Sequence, residues 1–125
     1  MLICFIMGQN FQPGDFLVFQ LESGFAVLRV LAVHGEGLDK TWHISAYNEM
    51  FPDVESAEVA CANPLGLTVS NSHIALTTRA FESTQVARIS NTPLTFDERS
   101  PFLQWESDDS RSVLDRSVRL VLGLR

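Results

Sequence analysis

Apolar residues crowd the first third of the chain into two runs separated by one tight break. Residues 15–21 and 25–33 are rich in Val, Phe and Leu, with Glu22-Ser23-Gly24 between them. Aromatic and β-branched residues at this density favour extended chain, and Gly24 supplies the positive φ that a short hairpin turn needs. The two runs are therefore expected to pair as a long β-hairpin. The second is almost wholly apolar, the pattern of a strand covered on both faces, and Arg29 is its one charged interruption.

Further along, the pattern changes. Residues 41–47 alternate: Trp42, Ile44 and Ala46 would face one way and His43, Ser45 and Tyr47 the other, which predicts a third strand. Residues 52–62 carry the marks of a helix. Pro52 suits its first position, Asp53 and Glu55 suit the positive end of its dipole, and Asn63-Pro64 is a stop signal. Val54, Ala57 and Cys61 would form its thin apolar stripe. Residues 64–67 read as a turn. Residues 67–69, 74–81 and 85–89 look like further strands, joined at Asn71-Ser72 and at Glu82-Ser83-Thr84. Thr95-Phe96-Asp97-Glu98 fits a capping box. Pro101 is expected to limit that helix to about one turn and to leave residues 102–105 extended. Residues 107–112 read as a polar loop. Residues 118–124 alternate as a closing strand does, although Leu114, Val118, Val121 and Leu122 also fit a helical face. Strands at this spacing predict a mainly β domain, a strongly bent antiparallel sheet or small half-open barrel with one or two short helices. Residues 1–125 are expected to form a single domain.

Composition narrows the partners. Fifteen Asp and Glu stand against nine Lys and Arg, a net charge of −6. Nucleic-acid binding draws on cations that displace counterions from phosphates, so no nucleic acid is expected as the main ligand. An anionic membrane surface is disfavoured for the same reason. The apolar start, residues 1–6, is too short to span a bilayer and lacks the basic beginning of a signal peptide. The chain is thus expected to be cytoplasmic, with Met7 as an alternative start. Cys4 and Cys61 lack metal-ligand spacing and read as buried free thiols.

Candidate chemistry is sparse. His34, His43 and His73 are acid–base candidates by type, but no two lie in a metal or catalytic frame. Asp108-Asp109 with Asp115 lacks the glycine of a calcium loop. There is no Gly-x-Ser-x-Gly elbow, and Cys61 has no adjacent base in sequence. Gly35-Glu36-Gly37 places a carboxylate where a phosphate would be repelled. No catalytic residue, metal site or cofactor is expected. The pronounced feature is acidic: Glu36, Asp39, Glu49, Asp53, Glu55 and Glu58 stand against Lys40 alone. Such a face steers a basic protein by long-range attraction. Trp42 and Tyr47, with Phe51 and Trp105, are candidate interface anchors, because Trp and Tyr are enriched at hot spots.

The opening frame is Gly14-Asp15, then Leu21, Gly24 and Arg29-Val30-Leu31, followed by the strand Trp42-His43-Ile44-Ser45-Ala46-Tyr47. Over roughly the first 50 residues it resembles bacterial immunity proteins that neutralise polymorphic toxins. The resemblance implies a non-catalytic inhibitor that occludes a toxin's surface. The same Gly-Asp opening is similar to RNA-cutting toxins with a Src-homology-3 barrel, a reading the shortage of cations opposes. The expected function is therefore a binding protein for a basic protein partner. The alternatives are a small hydrolase or ribonuclease-like barrel using a histidine with Arg29 or Arg79, and a homodimeric structural domain joined through Trp105 and the last strand.

Overall fold

The hairpin expected from the two apolar runs forms. In the computed structural model, which describes residues 10–35 and 40–124, β1 (Asp15–Leu21) and β2 (Gly24–His34) pair antiparallel from Phe16↔Arg29 to Leu21↔Gly24. Gly24 has φ +151°, and a Cβ there would stand 2.6 Å from the carbonyl oxygen of Phe51. Glycine is required at this turn because of both its φ and the close backbone approach.

β3 (Thr41–Phe51) continues beyond the alternating stretch and pairs with β2; β4 (Val69–Thr77) pairs with β3. Residues 67–77 were expected to hold two strands broken at Asn71-Ser72, but β4 runs straight through. Ile44 faces Ile74 and Ala46 faces Asn71, so three steps on β4 match two on β3. The polar pair lies beside a bulge, where one extra residue is absorbed without ending a strand. β5 (Ala87–Asn91) returns to lie beside β1, giving an open five-stranded antiparallel sheet in the order β4-β3-β2-β1-β5.

Among the described residues four short helices cover the sheet, more than the one or two expected: α1 (Val54–Cys61), α2 (Thr78–Glu82), α3 (Phe96–Ser107) and α4 (Val118–Leu122). Because side chains alternate across a strand, the sheet buries both faces. One core joins Leu17, Phe19, Leu28, Val30, Trp42 and Ile44 to Ala80 and Phe81 of α2 and Val118 of α4. The other joins Phe16, Val18, Val27 and Tyr47 to Ala57 and Cys61 of α1. No described helix is long and apolar enough to cross a membrane.

Several local expectations are corrected. α1 begins two residues later than Pro52 suggested: Asp53 is its N-cap and accepts from Ser56 N at 2.7 Å. Val54 turns outward, so the buried stripe is Ala57 and Cys61 alone. Residues 78–82 leave the sheet as α2, because the Thr77 side chain caps a helix by accepting from Ala80 N. α3 has its capping box but runs 12 residues, straight through Pro101. An internal proline costs roughly 3 kcal/mol. The cost is offset by Phe102 and Trp105, whose rings pack on His43 at 4.6 and 4.5 Å between centroids. The end of the chain is a helix where a closing strand was expected. Ser117 caps α4 and Gly123, at φ +69°, ends it. Val118, Val121 and Leu122 pack into the core while Leu120 is exposed, the spacing of a helix face.

Candidate functional site

Between Lys40 and Arg79 the chain carries four carboxylates, Glu49, Asp53, Glu55 and Glu58, and no Lys or Arg. The structure puts three of these on α1 and its cap, opposite the buried Ala57 and Cys61. Glu36 and Asp39, the other two acidic residues expected at the site, lie outside the described residues. Two of the carboxylates have structural duties. Asp53 caps α1, and Glu49 accepts from Thr68 N at 2.8 Å; both backbone hydrogen bonds hold these groups below their ordinary pKa. Glu55 and Glu58 make no side-chain hydrogen bond or ion pair with any described residue.

Exposed apolar residues are frequent in the same stretch of chain. Of the nine exposed large apolar residues among the described ones, five, Met50, Val54, Val59, Leu65 and Val69, fall between positions 50 and 69. Leu65, in the 3-10 turn Pro64–Gly66 after α1, is 96% exposed, and Val59 is 73% exposed. Scattered exposed leucines are ordinary, but a contiguous apolar patch with a polar rim marks a binding surface.

Leu65 and Val69 also border a cleft of about 420 Å³ between this shoulder and the start of α3. Ser45 and Tyr47 line its floor, Leu65, Leu67 and Val69 one wall, and Asp97, Glu98 and Pro101 the other. Burial raises the Tyr47 phenol above its ordinary pKa of 10, outweighing the opposing pull of Arg29, so it is a neutral hydroxyl.

Arg29 holds the α3 wall of the cleft through Glu98. Arg29 is 1% exposed. Its Nε donates to Glu98 Oε2 at 3.1 Å, and its other nitrogens donate to the carbonyl of Gly14 at 2.7 Å, the Thr92 hydroxyl at 2.9 Å, the Pro93 carbonyl and Glu98 Oε1. The guanidinium carbon also lies 4.1 Å from the centre of the Phe16 ring. Burial pushes the Glu98 carboxyl up, but the hydrogen bonds from Arg29 and Thr95 outweigh it and the net shift is downward. Gly14 has φ +93°, and a Cβ there would stand 2.5 Å from Thr92 O. Asp15, almost fully buried, accepts from Gln12 N, Asn91 Nδ2 and Arg88. Gly14, Asp15, Gly24 and Arg29, the residues that carry the family resemblance, are thus all structural in this chain.

Trp42 and Tyr47 are not presented to a partner as surface anchors. Trp42 is 2% exposed, stacks on Phe81 at 4.5 Å and donates from its indole nitrogen to Thr78 Oγ. Tyr47 is also in the core and reaches solvent only through the cleft floor. Over residues 42–47 this strand is buried on both faces.

Sequence reasoning missed the gathering of histidines. His34, His43 and His73 lie on β2, β3 and β4, and antiparallel pairing places them diagonally on one face. His43 Nδ1 is 2.9 Å from His73 Nε2, and His34 is 3.7 Å from Glu106. Separation in sequence hid the grouping; only strand register could have revealed it. Trp105 and Phe102 cover His43, which is fully buried and whose Nε2 has no partner among the described residues. Burial first, then His73 and His34, lower the pKa of His43 to about 3. None of the three histidines lines the cleft. Among the described residues no group of His, Cys, Asp and Glu is arranged to hold a metal ion. Cys61 lies buried, and burial raises its thiol to about 11, so it is not a thiolate at neutral pH. Asp108 caps Ser110, while Asp115 pairs with Arg79 and Thr77. Trp105 donates to the Ser112 carbonyl and packs on the histidines, so its contacts are within the chain.

Comparison with protein-family models, curated proteins and solved structures finds no match to this chain. The site's chemistry therefore rests on its own geometry.

Proposed function

We propose that this protein is a binding protein for a basic protein partner, engaged through the shoulder formed by α1, the 3-10 turn and the start of β4. The observation that carries this reading is the juxtaposition of Val59 and Leu65, both largely in water, with Glu55 and Glu58, which have no cationic partner among the described residues. Apolar anchors supply affinity at the centre of an interface, and like-signed charge around them selects a partner of opposite sign and speeds encounter. The opening residues' resemblance to immunity proteins adds to the reading, since occlusion of a basic toxin needs this kind of surface. The role is steric: the shoulder covers a working surface on its partner and no bond is made or broken.

The test keeps the helix intact. Asp53 caps α1, so the reversal is confined to Glu55→Lys with Glu58→Lys. A partner captured from lysate, identified by mass spectrometry and purified is titrated against the native and reversed proteins. The reversed protein binds about tenfold more weakly or worse, and the native Kd rises with salt. Leu65→Asp weakens binding by a similar factor. Equal affinity of native and reversed proteins across the salt series contradicts the proposal.

A further inference from the structure

The cleft beside the shoulder has a ligand chemistry of its own. Its volume, about 420 Å³, lies in the range of small-ligand sites. The wall of Leu65, Leu67 and Val69 suits an aliphatic chain, and Tyr47 on the floor offers an aromatic face. Charge at the opposite wall decides what the chain must carry. Glu98 is already committed: Arg29 and Thr95 N occupy both its oxygens. Asp97, next to it in the first turn of α3, makes no hydrogen bond or ion pair with any described residue, and no Lys or Arg lines the cleft. The positive end of α3 is already offset by these two carboxylates and the capping box. An anion entering the cleft meets the Asp97 carboxylate and no Lys or Arg in the lining.

We infer that the cleft receives an arginine side chain, its methylenes on the leucines and Val69 and its guanidinium on Asp97 over the Tyr47 ring. Arginine fits better than lysine because a planar guanidinium both pairs with a carboxylate side-on and stacks on an aromatic face. This deepens the reading above and rests on it: the arginine is the one that a basic partner inserts beside the acidic shoulder, the buried anchor of that interface.

The test uses the whole chain and defined probes. Backbone amide resonances are followed by NMR during titration with N-acetyl-arginine amide, with N-acetyl-norleucine amide as the uncharged chain and N-acetyl-glutamate amide as the opposite charge. Arginine amide produces saturable shifts at Tyr47, Leu65, Leu67, Val69 and Asp97 with a Kd of roughly millimolar order; the other two produce none. Asp97→Asn weakens this about tenfold, and Ser72→Trp, which fills the cleft from its rim, abolishes it while the β1–β2 resonances stay in place. Absence of saturable shifts, equal binding of norleucine amide, or no effect of Asp97→Asn overturns the assignment. Glu55→Lys with Glu58→Lys separates the two readings. If that variant still loses the protein partner while arginine amide fails to bind the native chain, only the cleft assignment falls. If arginine amide binds but the double reversal leaves partner affinity intact, the cleft stands and the shoulder falls.

Discussion

Arg29→Met lowers the unfolding free energy by about 3–5 kcal/mol, read as a fall in urea midpoint with little change in slope. Arg29 is the largest of the fully buried side chains, and its guanidinium is the common partner of Glu98, Thr92 and the carbonyls of Gly14 and Pro93. Methionine fills much the same space but donates nothing, so several buried acceptors lose their donor at once. The loss is also spatial. Through Glu98, Arg29 ties α3 to the centre of the sheet, and through Gly14 and Thr92 it ties the ends of β1 and β5. Glu98→Gln keeps one acceptor oxygen but removes the counter-charge, and costs about 2 kcal/mol. A midpoint for Arg29→Met within error of the native protein contradicts this account of the core. Amide shifts around Ser45, Tyr47 and Asp97 report whether α3 has moved at the cleft.

The second large effect is a loss of stability in acid that begins well above the carboxylate range. His43 is buried, and burial with the neighbouring histidines lowers its pKa from 6.5 to about 3; burial lowers His73 too. In the unfolded chain these rings take up protons as pH falls through about 6.5, whereas the native protein resists until much lower pH. The unfolded state then binds more protons, so native stability falls as pH falls, with a slope of about 1.4 kcal/mol per pH unit for each proton of difference. Between pH 7 and 4.5 the His43 contribution is about 2 kcal/mol. Burial sets the sign, and His73 and His34, the titratable groups facing His43, push the same way; Glu106 of α3 sits by His34, and Arg111 lies over the Trp105 ring at 5.3 Å. The carboxylates held low, including Glu98 and Asp115, add their own losses only below their ordinary range. His43→Leu flattens the slope between pH 6.5 and 5 by up to one proton, while Glu98→Gln leaves that part of the curve alone. Equal slopes for native protein and His43→Leu in chemical denaturation contradict the buried neutral ring.

The β-hairpin was plain in the sequence because two largely apolar runs flanked a glycine able to take the positive φ of a tight turn. Trp42, Ile44 and Ala46 faced one core and Tyr47 the other as their alternation implied. The errors share a cause: local polarity was read as an ending. Asn71-Ser72 looked like a turn, yet an edge strand tolerates polar residues at a bulge. Pro101 looked like a stop, yet Phe102 and Trp105 found rings to pack on and carried α3 past it. The last residues alternated over a window too short to separate a strand from a helix, and Ser117 with Gly123 decided for the helix. The exposed side of α1 was legible from the charges of Glu55 and Glu58. The cleft and the histidine group were not, because each joins residues of three or more separate elements. Asp97 stood in a recognisable capping box, but its lack of a partner among the described residues is a property of the folded chain.

The proposed partner sits on the acidic shoulder of α1 and the cleft beside it. Zero-length carbodiimide coupling, which joins carboxylates to lysine amines in contact, measures this on the purified complex. Cross-links are expected from Glu55 and Glu58 to lysines of a partner with net positive charge, and none of comparable yield from Asp97, which faces a guanidinium that carbodiimide does not couple, or from the α2 and α4 side near Glu82 and Asp115. Cross-links confined to Glu82 and Asp115, or a partner of net negative charge, contradict it.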